Sequence, residues 1–169
     1  NINGNLLESV HTFCYLGFDL NASGTVKHAV NILYDKANKV MRPLMNSIAR
    51  FNLAVKTSLN LFHAFISPII LYNAENWNIL TDKKLQKFPT TIFTSVSDSK
   101  ADIHRKFLKY ILGVSKSCPN LAIYGETGEL PLSLKGFRLL INYWLRLTNL
   151  PDNNLAKKAL LENITLRTN

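Results

Sequence analysis

Lys36, Lys39 and Arg42 have the type and spacing that most clearly indicate a chemistry in this chain. They recur every three positions in a stretch with helical periodicity, so we expect them on one side of a helix. Such a row can follow a phosphate backbone, where each neutralised phosphate adds salt-sensitive affinity. An ordinary solvated helix face is the alternative for the row alone. The phosphate interpretation is favoured because residues 27–56 carry six basic side chains against one acid, Asp35.

Further basic residues extend this prediction. We expect Arg50 and Lys56 to join the row and to contact phosphates of an RNA–DNA or A-like duplex without reading its bases. A second basic helix is predicted over residues 101–112, with three cations on its outer side: Arg105, Lys106 and Lys109. Nothing in their spacing requires contact with a template, so their inclusion depends on charge alone.

Carboxylates give no candidate for catalysis. Asp98 and Asp102 are four residues apart, beside a serine-rich loop, and are typical of a helix start. Glu126 and Glu129 flank Gly128, where a turn would place them at the start of the next helix. We therefore predict no catalytic residue in this chain.

Histidines and cysteines give no candidate metal site. The four histidines lack metal-ligand spacing: His11, His28, His63 and His104. His63 lies in an apolar helix and is expected to be a satisfied core or interface residue. Cys14 and Cys118 are far apart and form no Cys-x-x-Cys motif, which favours a reducing compartment without a disulfide or zinc site.

Composition indicates one basic domain, or one with a small appendage. The chain has 169 residues, is 47% apolar and carries a formal charge of +9. This charge favours a polyanionic partner, with nucleic acid first and an anionic membrane surface second, although some domains are basic for solubility or protein partners alone. The longest uncharged stretch, residues 57–74, contains His63 and Pro68 and is expected to be a buried helix. We predict no membrane association and an intracellular location, in the cytoplasm or nucleus.

The N-terminal residues are predicted to be β-structure. Residues 2–10 place Gly4 between apolar positions, as a hairpin requires, and residues 13–18 form a short aromatic-rich strand. Phe13 and Tyr15 would share one face of that strand, where they would pack the first helix if their role is structural. Two strands alone cannot form a stable unit. The following helices must cover them, or another strand must be supplied.

From Val26 the apolar residues recur with helical period, and the remaining chain is predicted to be mainly α. The first helix runs to about Arg42, where Pro43 ends or kinks it. Asn52 starts a second helix, Pro68 breaks it, and a buried segment continues to Trp77. Five further segments are expected: a short helix with Lys83, Lys84 and Lys87; a loop at 89–99; a helix at 101–112 closed by Gly113; a short helix or extended piece at 120–123; and a turn between Gly125 and Gly128. Two helices would follow, at 131–150 and 155–164, the first burying Leu134, Phe137, Leu140, Ile141, Trp144 and Leu145.

Several blocks in a fixed order resemble the reverse transcriptases of non-LTR retrotransposons. The segment Phe13-x-Tyr15-Leu16-Gly17 and the block Leu59–Trp77, with its Pro-Ile-Ile-Leu-Tyr core, are similar to the region after the catalytic palm motif. Three later blocks are similar to the same proteins: Phe107–Val114, Pro119–Leu132 and Tyr143–Leu147. The motifs are short, and their order and spacing carry the resemblance, which covers nearly the whole chain.

The resemblance implies a role for each part. Phe13, Tyr15, Leu16 and Gly17 would form the primer grip, which supports the primer end near the metal site. It implies four regions: a primer-grip-like hairpin at the end of the palm (1–25), a thumb-like helical bundle that clamps the template–primer duplex (26–88), a loop (89–100) and a helical linker region (101–169). The expected fold class is mainly α, with a short N-terminal β-hairpin, a thumb-like bundle and further helices.

Departures from the family pattern limit the expected activity. Such polymerases hold two Mg²⁺ ions with paired aspartates of the palm, and no Asp-Asp pair occurs in these 169 residues. We therefore expect a polymerase fragment with no cofactor of its own, inactive alone, whose partners are a template–primer duplex and the palm and fingers. Cys14, Asn73 and Thr127 replace the family's usual basic, glycine and leucine residues. The alternative is a non-enzymatic helical protein-interaction module derived from a retroelement remnant.

Overall fold

Helices make up most of the chain, and one antiparallel β-hairpin precedes them, so the predicted mainly α fold is confirmed. The computed structural model describes residues 10–23, 27–77 and 103–168. The elements are β1 (Thr12–Tyr15), β2 (Phe18–Asn21), α1 (Lys27–Phe51), α2 (Val55–Phe65), α3 (Ser67–Ile70), α4 (Ala74–Trp77), α5 (Ile103–Ile111), α6 (Asn120–Thr127), α7 (Leu132–Thr148) and α8 (Leu155–Thr168). No helix within these ranges combines the length and the apolar character needed to cross a membrane.

The hairpin reverses direction at Leu16 and Gly17. Both residues have positive φ, 49° and 80°, as a two-residue type I′ turn requires. Tyr15 pairs with Phe18 across this turn. The prediction of one strand over residues 13–18 is therefore wrong, because the two left-handed residues fold that segment back on itself. Residues 2–10, the other predicted strand region, lie outside the described ranges.

The second strand attaches the hairpin to the helices. Phe18 is buried against Ala29 and Leu33 of α1. Phe13 and Tyr15 are 57% and 59% exposed, so the alternative in which they pack the first helix is wrong. The reason is that β2, rather than β1, lies against α1.

Helix α1 continues through Pro43 to Phe51, so the prediction that it ends near Arg42 is wrong. Proline removes one backbone hydrogen bond and costs about 3 kcal/mol in a helix interior. The apolar stripe continues past it, with Met41 and Ile48 both in the core, and this packing offsets the loss. Pro43 itself is exposed.

Asn52 ends α1 instead of starting the next helix. Its φ is 44°, and the Leu53 N–H donates to the Ile48 carbonyl at 3.1 Å. The Asn52 N–H donates to the Ala49 carbonyl at 3.3 Å, which completes a Schellman motif. Helix α2 therefore begins three residues later than predicted, at Val55.

The main core lies where α5 and α6 pack against α1, α2 and α3. Phe62 of α2 is fully buried, and its ring centre is 4.6 Å from that of Phe107 on α5. Ile66, just after α2, and Ile123 of α6 are buried in the same cluster. The Tyr110 hydroxyl donates to the Met45 carbonyl at 2.9 Å and fixes α5 along α1.

Helix α7 buries a different face from the predicted one. Gly136 and Leu147 are its buried residues, whereas Ile141, Trp144 and Leu145 are 40%, 49% and 46% exposed. Their predicted burial is wrong, because α7 has apolar residues around most of its circumference and its main described contact is with α4. The predicted short helix at Lys83–Lys87, the loop at 89–99, and Asp98 and Asp102 lie outside the described residues.

Gly125 within α6 and Gly128 just after it should respond oppositely to substitution by alanine. Gly128 follows the helix with φ of 67°, a conformation that costs an L-residue about 1–2 kcal/mol. Gly125 lies inside the helix, where a Cβ would meet nothing within 4 Å, and alanine there favours helix by about 1 kcal/mol. We expect Gly128→Ala to lower and Gly125→Ala to raise the free energy of unfolding in urea. Equal effects would contradict this assignment of the helix end.

Candidate nucleic-acid interface and partly buried charge cluster

Cations from two helices line one groove. Its volume is about 770 Å³, and it is open to solvent between α1 and α5. The lining residues are Asp35, Asn38, Lys39, Arg42, Pro43 and Lys106. Three of the residues predicted to contact phosphates, Lys39, Arg42 and Lys106, therefore share one concave surface with a single carboxylate.

The core packing of α5 directs Lys106 toward this groove. Phe107 and Leu108 are fully buried, so the preceding residue on the helix lies on the outer side. The sequence predicted two separate basic helices. That both would contribute to the same groove follows only from how α5 docks on α1.

Other predicted phosphate contacts lie elsewhere. Lys36 lines a second cavity of about 70 Å³ beside the hairpin, together with Cys14, Asp19 and Gly17. The pKa of the exposed Cys14 thiol is raised, chiefly because it hydrogen-bonds to Asp19. This small cavity combines opposite charges and does not continue the basic row.

The remaining basic residues divide into two groups. Arg50 and Lys56 are exposed at the corner where α1 meets α2. On α5, Arg105 is half-buried, and the Lys109 ammonium donates to the Lys116 carbonyl at 2.6 Å. Lys109 therefore ties the loop after α5 and does not line the groove.

The predicted primer-grip residues form the exposed end of the hairpin. Phe13, Tyr15 and Leu16 are all more than half exposed. The Tyr72 hydroxyl donates to the Leu16 carbonyl, which holds the turn against the segment between α3 and α4. None of these residues lines the basic groove.

A partly buried charge cluster around Glu129 joins four parts of the fold. Glu129, between α6 and α7, is 16% exposed at its side chain. It accepts hydrogen bonds from His63 of α2 at 2.8 Å and from Lys135 of α7 at 2.9 Å. The Nε2 atom of His104 on α5 lies 3.8 Å from Oε2 of Glu129, the oxygen that also accepts from Lys135. Glu129 lies in the turn before α7, as expected, and its contacts with His63 and Lys135 are an additional role that the sequence did not predict.

The hydrogen bonds define the proton positions. Burial raises the pKa of Glu129, but the hydrogen bonds from His63 and Lys135 outweigh it, and the net pKa is lowered. An ionised carboxylate only accepts, so His63 Nε2 carries the proton that it donates. In neutral His63, Nδ1 then accepts from the Ser67 hydroxyl at 3.1 Å. His63 was predicted to be a satisfied core or interface histidine: both ring nitrogens do have partners, but the side chain is 29% exposed and lies at the edge of the core.

The Ser67–His63–Glu129 chain has the order of a hydrolytic triad but not its access. Ser67 is 6% exposed, and it lines neither of the two cavities described above. Lys135 also neutralises the carboxylate that would stabilise a charged histidine. The cluster therefore holds helices together and does not offer a nucleophile to a substrate.

His104 is the buried polar side chain without hydrogen bonds in this cluster. It is 4% exposed, neither ring nitrogen makes a hydrogen bond, and its ring stacks on Phe62 with centres 5.0 Å apart. Burial lowers the pKa of His104 to about 4, despite the attraction of Glu129. It is therefore neutral at physiological pH and packs as an aromatic ring. Sequence reasoning missed this role because His104 carries no local signal beyond its position on the inner face of α5.

Metal binding finds no support in the described ranges. Within them, no three histidine, cysteine, aspartate or glutamate side chains are arranged to hold a metal ion.

Comparisons of this chain with models of protein families, with curated proteins and with solved structures found no match. Functional inference therefore depends on the residues and their geometry.

Stability should fall on acidification because of His104. The unfolded chain binds this proton near pH 6.5, while the folded chain resists it until about pH 4. This contribution is therefore complete above pH 6.5 and is lost as the pH falls toward 4, by about 3 kcal/mol in total. Urea unfolding measured across this pH window should show the decrease.

Two histidine variants identify the source of that dependence. His104→Phe keeps an aromatic ring on Phe62 and should flatten the pH dependence of the free energy of unfolding between pH 4 and 6.5. His28→Gln removes an exposed histidine of α1 and should leave it unchanged. An unchanged slope in His104→Phe would show that another group controls acid stability.

Proposed function

We propose that this chain is the primer-grip, thumb and linker portion of a retroelement RNA-directed DNA polymerase, which clamps a template–primer duplex and is not catalytic alone. The observation that carries the proposal is the groove in which Lys39 and Arg42 of α1 meet Lys106 of α5. Cations on two helices can contact phosphates along a curved backbone more completely than one row can. The order of the sequence blocks supports the polymerase assignment.

The chemistry of the groove favours phosphate over base recognition. Three long cationic side chains line it, while the polar groups suited to base edges are Asp35 and Asn38. Binding of this kind depends on charge and backbone shape, as a clamp on changing sequences requires. The proposed ligand is an RNA–DNA hybrid or another A-like duplex.

Removing the groove cations should weaken binding and its salt dependence. We expect the Lys39→Ala, Arg42→Ala, Lys106→Ala triple variant to bind an RNA–DNA hybrid more weakly. The slope of log affinity against log salt should fall in magnitude by roughly two to three, since each neutralised phosphate contributes about 0.7–0.9. Fluorescence anisotropy across a salt series gives both quantities.

A charge-matched variant controls for net charge. Lys116, Arg138 and Lys158 are exposed and do not line the groove. Changing these three to alanine also takes the net charge from +9 to +6, because three cations are removed. If both triple variants lose the same affinity for the hybrid, binding depends on net charge and not on the groove. If the parent chain does not bind the hybrid even at low salt, the proposed clamp is refuted.

The hairpin supports a second candidate, a non-enzymatic module that binds protein. Phe13 and Leu20 are directly paired, and both are half exposed or more, beside exposed Tyr15. A contiguous apolar surface of this kind marks interaction sites. Both candidates share the fold, so nucleic-acid affinity and association behaviour distinguish them.

The exposed hairpin face should cause self-association of the purified chain. Light scattering should show a mass that rises with concentration, and Phe13→Ser with Tyr15→Ser should suppress the increase. Phe65→Ser removes a comparably exposed phenylalanine, 56% exposed on α2, and should not. A monomer at all concentrations would exclude the hairpin as a self-association surface.

A further inference from the structure

A second surface suited to nucleic acid lies at the corner between α1 and α2. Phe51, the last residue of α1, is 65% exposed, although phenylalanine is usually buried. The Arg50 guanidinium carbon lies 5.6 Å from the centre of the Phe51 ring, a cation–π arrangement. Lys56 is exposed in the first turn of α2. The corner therefore presents a flat apolar ring among cations.

Phe51 stays outside the core although its neighbours pack inside it. The turn around Asn52 brings the Leu53 N–H to the Ile48 carbonyl, and both of these side chains pack in the core. Phe51 lies between them in sequence, as the last residue of α1, and it is 65% exposed whereas Ile48 is 6% exposed.

Charge restricts what can occupy this surface. From Asp35 to Glu75 the sequence contains no intervening acidic residue, while it contains five basic ones: Lys36, Lys39, Arg42, Arg50 and Lys56. An occupant must therefore be anionic and also offer a flat apolar face to the Phe51 ring. An unpaired nucleotide has both properties, since its base can stack on an aromatic side chain while its phosphate meets a cation.

The corner is continuous with the groove. Arg50 follows Lys39 by eleven residues, close to three helical turns, so both lie on the same side of α1. Arg42, Asn46 and Arg50 are exposed along this side. The distance along the helix is roughly 16 Å at about 1.5 Å per residue, which a strand covers in about five nucleotides at about 3.4 Å each.

We propose that Phe51, with Arg50 and Lys56, forms a subsite that stacks an unpaired base of a strand extending from the duplex in the groove. This inference rests on the proposed function and specifies its ligand as a duplex with a single-stranded extension. An anionic membrane also suits exposed aromatic and basic residues. A nucleic acid is favoured because the adjoining cations line a concave groove, which fits a rod and not a flat surface.

The test compares two ligands that differ only in an overhang. A blunt RNA–DNA hybrid and the same hybrid with a short single-stranded extension are titrated with the full chain by fluorescence anisotropy. The parent chain should bind the extended ligand more tightly. Phe51→Ala should lose that advantage, by roughly five- to a hundredfold for one stacked base, and should keep its affinity for the blunt hybrid. Phe51→Trp should retain the advantage, and Phe51→Leu should lose most of it.

Two controls separate this inference from the proposed function. Phe65→Ala removes another exposed phenylalanine, on the side of α2 opposite Lys56, and should leave both affinities unchanged. If the parent chain binds the blunt hybrid but gains nothing from the extension, or if Phe51→Ala keeps the gain, the subsite is refuted while the clamp stands. If it binds neither ligand, both proposals fail.

A vesicle measurement tests the membrane alternative. The same chain is mixed with phosphatidylserine–phosphatidylcholine vesicles and sedimented. Recovery in the supernatant is expected. Sedimentation that Phe51→Ala abolishes, without any effect of this variant on nucleic-acid binding, would overturn the assignment of the corner to an unpaired base.

Discussion

The packing of Phe62 against α5 is the interaction on which the rest of the molecule depends. Phe62 contacts Phe107 and His104, whose ring centres lie 4.6 and 5.0 Å away, and it is fully buried. This contact fixes α5 on α2, and α5 in turn carries Lys106 to the groove with α1. The groove proposed to bind a polyanion is thus a consequence of an aromatic core contact.

The charge cluster beside this core has a mainly structural role. Glu129 connects α2 and α7 through His63 and Lys135, and the carboxylate is compensated on both oxygens. A buried charge is tolerated only when it is paired and hydrogen-bonded in this way. His104 contributes through its ring, because its nitrogens remain without hydrogen bonds. Because burial disfavours its charged form, we expect protonation of His104 to destabilise the core in acid.

The proposed interface combines a rigid part and an exposed part. Core packing positions Lys39, Arg42 and Lys106 in the groove, whereas the hydrogen-bonded end of α1 presents Phe51 and Arg50. In the proposed complex the groove would supply affinity through contacts with phosphate charge, and the corner would add stacking on a single base. The hairpin lies apart from both and offers an apolar surface instead.

Sequence periodicity determined the mainly α character, the helix near residues 103–111 and the outward position of Lys106, because these depend on local patterns of apolar and basic residues. It also identified Gly113, which has a φ of 65° just beyond Ile111, as the residue that closes α5. The tertiary structure alone decided that α1 passes Pro43, since packing on both sides of the proline outweighs its local cost. Local sequence patterns could not predict the groove or the Glu129 cluster either. Lys39 and Lys106 line the same groove, and His63 donates a hydrogen bond to Glu129, although more than sixty residues of sequence separate each pair. Contacts of that range follow from how whole helices dock.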